Sequence, residues 1–203
     1  MLKSDNEDEY EDIKVILIGE PGVGKTNLIN TSMGKEFAEQ EESTINPSYS
    51  IKKFTIEGKK YALNLWDTAG QERYLNVTKL FFKGSGIVIL VYDITNLESF
   101  KALKNWYEIS NNIIESAHIY AIVGNKSDLY MNSKVDEDEA KQFADSINAK
   151  YQLVSAKKQR QLFIDLLEEL IIEYRNKKLN MKNRRKSMKL KKEENKKHSG
   201  CCS

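Results

Sequence analysis

The sequence predicts an α/β fold, a mostly parallel sheet covered by helices on both faces. Short, very apolar runs such as "IKVILIG" (13–19) and "GIVILVYD" (86–93) read as strands buried on both sides. Segments of helical period alternate with them, the signature of strand–helix–strand units. One pair, "YSIKKFTIE" and "KYALNLW", flanks Gly58 and reads as an antiparallel hairpin, which makes the sheet mixed.

The remaining elements follow in order. "KTNLINTSMG" (25–34) is the helix behind the first strand, closed by Gly34. A helix over about 97–113 follows the "GIVILVYD" strand. "HIYAIVG" is a further strand, and a helix near 136–147 leads to "YQLVSA". A long helix starts at about 161. No internal repeat is visible.

Composition bounds the function. A chain of 203 residues suits one domain with tails, and 40% hydrophobic against 31% charged residues fits a soluble globular protein. The two cysteines are adjacent, Cys201 and Cys202, which excludes a disulfide scaffold or a zinc site and points to a reducing compartment. "MLKSDNEDEYED" lacks the apolar run of a signal peptide. "IVILVY", the longest apolar run, is far too short to span a bilayer.

Charge is polarised along the chain. Residues 3–12 carry six acids against one lysine, whereas 175–197 carry twelve Lys/Arg against two glutamates. This divides the chain into an acidic extension (1–11), a near-neutral domain (12–174) and a basic tail (175–203). The tail reads as a disordered charge run able to bind an anionic surface. Without interleaved aromatics it offers single-stranded nucleic acid no stacking platform, so nucleic acid is not an expected partner. The cysteines beside it favour lipid.

"GEPGVGKT" (19–26) matches G-x-x-x-x-G-K-[ST], which chance supplies in roughly one chain of this length in a hundred. Here it leaves a buried strand and opens a helix, the context that a phosphate loop requires. Gly22, Val23 and Gly24 turn backbone N–H groups toward phosphate oxygens at the positive end of a helix dipole. Lys25 reaches the β- and γ-phosphates, the Thr26 hydroxyl ligates Mg²⁺, and Asn27 lies beside them.

"NKSD" (125–128) chooses the base. A carboxylate at Asp128 accepts two parallel bonds from guanine N1–H and its 2-amino group, a donor pair that adenine lacks. Asn125 is placed to bond the base and the neighbouring loop, and the Lys126 stem to cover the ring. "LWDTAGQE" (65–72) supplies the reaction centre. Asp67 holds a metal-bound water, Gly70 offers its N–H to the γ-phosphate, and Gln71 orients the attacking water. Asp93, at the end of "ILVYD", is followed by no Gly–Gln and reads as a structural or turn residue.

With these motifs in place, the chain resembles the Rab family of small GTPases within the Ras superfamily. The resemblance covers about residues 12–174 and the terminus, and is strongest in "WDTAGQERY" and "FFKGSGIVILVYDITNLESF". It implies the small-GTPase form of the P-loop NTPase fold, with a six-stranded mixed sheet and about five helices. It also implies a switch that binds GTP or GDP with Mg²⁺ and hydrolyses GTP slowly, under stimulation by a GTPase-activating protein. "SAK" places Ser155, Ala156 and Lys157 in the last guanine loop. Thr44 matches the switch I threonine that bonds Mg²⁺ and senses the γ-phosphate, and Phe37 the aromatic that stacks on guanine. Lys25, Thr44 and Gln71 form the implied catalytic set. Ile45, Tyr49, Trp66 and Phe81 match the effector-facing positions.

"GCCS" matches the Rab pattern of two geranylgeranylated cysteines. Gly200 stands where a C-a-a-X signal needs cysteine. Implied partners are an exchange factor, a GTPase-activating protein, effectors, the Rab escort protein, the GDP-dissociation inhibitor and a membrane. The implied location is the cytoplasmic face of vesicles or endosomes, to which "ESTI" and "KNW" also point, with cycling through the cytosol.

Three stretches depart from the family's pattern. Pro21 replaces a small residue beside the place of Gln71, "TINPSY" replaces T-I-G-x-x-F, and the linker after "SAK" is shorter. Pro21 keeps a second reading open, a Rab-like scaffold that binds nucleotide and hardly turns it over. Gln71 speaks against it. A small-molecule P-loop kinase would leave "NKSD" unexplained.

Overall fold

The computed structural model describes residues 9–39, 48–67 and 82–198, with backbone alone at 48, 185–186 and 188–198. Its strands are β1 (Glu11–Ile18), β2 (Ser48–Ile56), β3 (Lys59–Asp67), β4 (Ile87–Asp93), β5 (Ile119–Asn125) and β6 (Lys150–Leu153). They form one six-stranded sheet in the order β2-β3-β1-β4-β5-β6. Only β2 runs antiparallel, paired with β3 around a turn in which Glu57 and Gly58 have φ of 50° and 75°. Positive φ at both central residues matches the right-handed strand twist, as tight hairpins require.

The described helices are α1 (Lys25–Ser32), α2 (Leu97–Ile113), α3 (Glu137–Ser146) and α4 (Arg160–His198), with a 3₁₀ helix at Ser127–Asn132. The starts of α2 and α3 are chemically marked. The Asn96 side chain accepts from the N–H groups of Glu98 and Ser99, and that of Asp136 from Asp138 and Glu139.

Strand alternation builds two cores. On one face Ile13, Val15 and Leu17 of β1 pack with Ile87, Ile89 and Val91 of β4 beneath α1 and α4. On the other, Ile16, Val88 and Leu90 pack beneath α2 and α3. Burial on both faces is why β4 is apolar from Ile87 to Val91. The strand order reverses at β1, with β3 added on one side and β4 on the other, and open α/β sheets bind ligands at such a crevice beyond the strand ends.

The tail corrects the sequence expectation. Instead of a disordered run, α4 continues without a break to His198, across the expected boundary at 175. Residues 175–198 contain no Gly or Pro and are rich in Lys, Arg, Leu, Met and Glu, all good helix formers. Their positive charge also suits the negative end of the helix dipole. Only the first part packs. Phe163, Leu166, Leu167, Leu170 and Ile171 are buried at helical spacing, and no described α4 side chain after Ile171 is buried. The helix is then tied to the amino ends of the parallel strands. Arg175 pairs with Glu57 at 2.7 Å and Lys178 with Glu11 at 2.7 Å, while Lys177 donates to the His118 carbonyl at 2.6 Å.

Candidate functional site

The loop after β1 carries the phosphate-binding motif into α1. Gly24 caps α1 with φ 93° in the left-handed region. A Cβ there would also collide with Asn125 Nδ2, so both backbone and space require glycine. Lys25 is 6% exposed, and its Nζ donates to the carbonyls of Gly19 at 2.5 Å and Glu20 at 3.0 Å. Its ammonium is thus held at the loop. Thr26 stands beside it in the first turn of α1.

Asn125 joins the phosphate loop to the base loops. Its Nδ2 donates to Val23 O at 2.8 Å, and its Oδ1 accepts from Ala156 N at 3.2 Å. It is 2% exposed. One amide thereby fixes three segments that are far apart in sequence. The N–H of Ala156, in the expected guanine loop, is here engaged by Asn125.

Lys126 stands in the left-handed region, φ 66°, an uncommon conformation for a long side chain. Its Nζ meets Asp93 Oδ2 at 2.6 Å. Asp93 Oδ1 in turn accepts from Thr95 N at 2.8 Å and Thr95 Oγ1 at 2.7 Å. The reading of Asp93 as a turn residue agrees with this, and its ion pair with Lys126 adds a positioning role. Asp128 is aimed by Ser155, whose Oγ donates to Oδ1 at 2.5 Å while accepting from Lys158 N at 3.0 Å.

The start of switch I lies against the same site. Phe37 packs half-buried on the core, with Lys157 Nζ 5.7 Å from its ring centroid. Lys157 Nζ also meets Glu39 Oε1 at 2.7 Å. This bond holds the Glu39 carboxyl below its ordinary pKa and raises that of Lys157. Asn27 Nδ2 donates to Ala38 O at 2.9 Å, and Ala38 N donates to Asn27 Oδ1 at 3.2 Å.

The residues present suit Mg²⁺. Asp67 ends β3, 3% exposed, and its register partner Leu17 precedes the phosphate loop. The Thr26 hydroxyl and the Asp67 carboxylate are hard oxygen donors, the type that Mg²⁺ selects. Among the described residues no cluster of three or more His, Cys, Asp or Glu side chains suggests another metal.

Tyr49 and Trp66 are register partners on the hairpin, stacked at 5.4 Å and 23°, with Lys14 Nζ 4.7 Å from the Trp66 ring. Two of the positions expected to face effectors therefore form one surface. Thr44, Ile45, Gly70, Gln71, Phe81, Cys201 and Cys202 lie outside the described residues, as does the "TINP" segment.

Sequence reasoning did not foresee the contacts of Glu39, Asp93 or Ala38. Asp93 followed a buried strand and offered a signal. Glu39 and Ala38 belong to no motif.

Known proteins supply the lineage. Residues 14–175 match the Ras family. The Ras-related protein Rab-21 of Homo sapiens is 38% identical over 161 residues, covering 78% of this chain and 72% of the relative. The Ras-related protein RabC of Dictyostelium discoideum is 35% identical over 171 residues, 82% and 87% of the two chains. The GTP-binding protein ypt1 of Schizosaccharomyces pombe is 40% identical over 151 residues, 73% and 74%. On this match and these identities, the chain belongs to the Ras family, as a small GTPase of the Rab kind.

Proposed function

We propose that the chain is a membrane-anchored switch that recruits effectors to vesicles or endosomes while GTP is bound and releases them after hydrolysis. The observation that carries the nucleotide part is the Asn125 strut, which makes the phosphate loop and the base loop one rigid unit. Asp128 would read the guanine edge, with its carboxylate held by Ser155. Phe37 and the Lys126 stem would cover the two faces of the ring, and Lys25 would neutralise the phosphates. Mg²⁺, held by Thr26, Thr44 and through water by Asp67, would withdraw charge from the phosphates during transfer.

Gly70 and Gln71 would hold the γ-phosphate and the attacking water, so that hydrolysis releases both switches. Tyr49 and Trp66, with Ile45 and Phe81, would present the effector surface. Cys201 and Cys202 would carry two geranylgeranyl chains, delivered through the Rab escort protein and shielded in the cytosol by the GDP-dissociation inhibitor. Two chains anchor stably where one does not. No helix among the described residues is long and apolar enough to cross a membrane.

Chromatography of the nucleotides released on denaturing the purified full chain tests the reading. Guanine nucleotides, mainly GDP, are expected in stoichiometric amount. Adenine nucleotides in their place would overturn the base assignment.

A further inference from the structure

We infer that this chain controls nucleotide release through a two-point latch that ties the root of switch I across the guanine site. One point is Asn27, the other the Glu39–Lys157 ion pair. The inference rests on the guanine-site reading above and concerns its regulation.

The first point is a two-way clasp. The Asn27 amide donates to Ala38 O at 2.9 Å and accepts from Ala38 N at 3.2 Å, satisfying both backbone groups of one residue. Asn27 is 8% exposed and sits in the first turn of α1, directly after Thr26. A side chain of the phosphate-binding helix therefore grips the residue next to Phe37. A shorter or apolar side chain cannot bridge both groups, so the clasp is specific to this amide.

The second point lies across the base loop. Glu39 Oε1 meets Lys157 Nζ at 2.7 Å, and Lys157 Nζ is also 5.7 Å from the Phe37 ring centroid. Lys157 follows Ala156, whose N–H is fixed to Asn125, so its backbone belongs to the rigid unit. The segment 37–39 is thus fastened at Ala38 to the phosphate helix and at Glu39 to the base loop. Nucleotide seated between these elements leaves only after the strap opens.

The two fastenings differ in physics. The amide clasp is part-buried and joins uncharged groups, so salt hardly affects it. The ion pair joins side chains 45% and 77% exposed, so added salt weakens it. An acidic surface brought to Lys157, or a basic one brought to Glu39, would open it. Such a charged partner would accelerate exchange without touching the nucleotide.

The test is the dissociation rate of a fluorescent GDP from the full chain, chased with excess GDP. Asn27→Ala should release it roughly ten-fold faster, as expected for two lost neutral hydrogen bonds. Glu39→Lys should release it about two- to five-fold faster at low salt, with the difference from wild type shrinking at high salt. Combining Glu39→Lys with Lys157→Glu should release GDP more slowly than Lys157→Glu alone, because the exchanged charges re-form the pair. A merely structural effect would not be rescued by the exchange of charges. If Asn27→Ala shows no cooperative melting, the surface variants decide. Wild-type release rates in Glu39→Lys, or a double variant no slower than Lys157→Glu alone, overturn the latch. Wild-type protein that retains no labelled GDP overturns the guanine-site reading, and the latch with it.

Discussion

Ser155 donates one short hydrogen bond to Asp128 and receives one from Lys158 N, so the aspartate reaches the base site already oriented. On the proposed guanine contact, the value of that orientation would lie in what Asp128 rejects. Guanine offers two donors to a charged acceptor, whereas a base without them would leave the charge unpaired in a partly buried position. Asp128→Asn replaces an acceptor by a group that also donates. It should weaken GDP and GTP binding by roughly 3–5 kcal/mol and improve binding of xanthine nucleotides, whose 2-oxo group accepts from the amide. Competition of labelled GDP against GDP and XDP measures both effects, and unchanged GDP affinity would refute the guanine contact. Other single residues set the stage through the contacts they make within the protein. Asp93 holds Lys126 at 2.6 Å and Asn125 holds the phosphate loop at 2.8 Å.

At the scale of elements, α4 is two helices in one. Residues 163–171 place five apolar side chains in the core, whereas the remainder carries the basic run and stands on helix propensity. Phe163→Ala should cost about 3–5 kcal/mol in chemical unfolding. Truncation after residue 182, past the Arg175 and Lys178 ion pairs, should leave that transition unchanged while lowering the helical circular dichroism. Local order was legible wherever periodicity or a motif recorded it. The apolar strands, the hairpin at Gly58 and the phosphate-loop glycines each carry a pattern tied to near neighbours. The helical tail was not legible, because a high charge density argues for disorder while the same lysines, leucines and methionines favour helix. Glu39–Lys157, 118 residues apart, and Asp93–Lys126 are pairings that only the tertiary fold creates. Pairings of this kind leave no period in the sequence.

The whole molecule is organised along one axis. Nucleotide-binding motifs follow the carboxyl ends of β1, β3, β5 and β6, while α4 returns to the amino ends and pairs there with Glu11, Glu57 and His118. The basic extension therefore leaves from the pole opposite the phosphate loop. From Tyr174 to His198 the helix adds roughly 36 Å at 1.5 Å per residue. A membrane held by this arm would leave the switch face directed toward the cytosol. Two prenyl chains at Cys201 and Cys202, as proposed, would contribute burial that salt hardly affects, about 0.8 kcal/mol per inserted CH₂. The Lys/Arg run adds about 1 kcal/mol per charge close to an anionic surface, less at high salt. Unprenylated protein should accordingly bind anionic vesicles weakly, lose them as salt rises and ignore neutral ones. Changing Cys201→Ser and Cys202→Ser together should leave GTP binding intact and move the protein to the soluble fraction of cells. A double variant that stays membrane-bound in high salt would show that the anchor lies elsewhere.

Turnover is the property that separates a switch from a scaffold. The decisive measurement is single-turnover hydrolysis of GTP preloaded on the full chain with Mg²⁺, compared with Gln71→Leu. The leucine keeps the bulk of the side chain but cannot orient water. Wild-type protein should hydrolyse bound GTP slowly, on the order of 10⁻⁴ per second, and Gln71→Leu far more slowly at equal nucleotide affinity. Equal rates in the two proteins would contradict the account, leaving a nucleotide-binding scaffold in which Pro21 obstructs the chemistry.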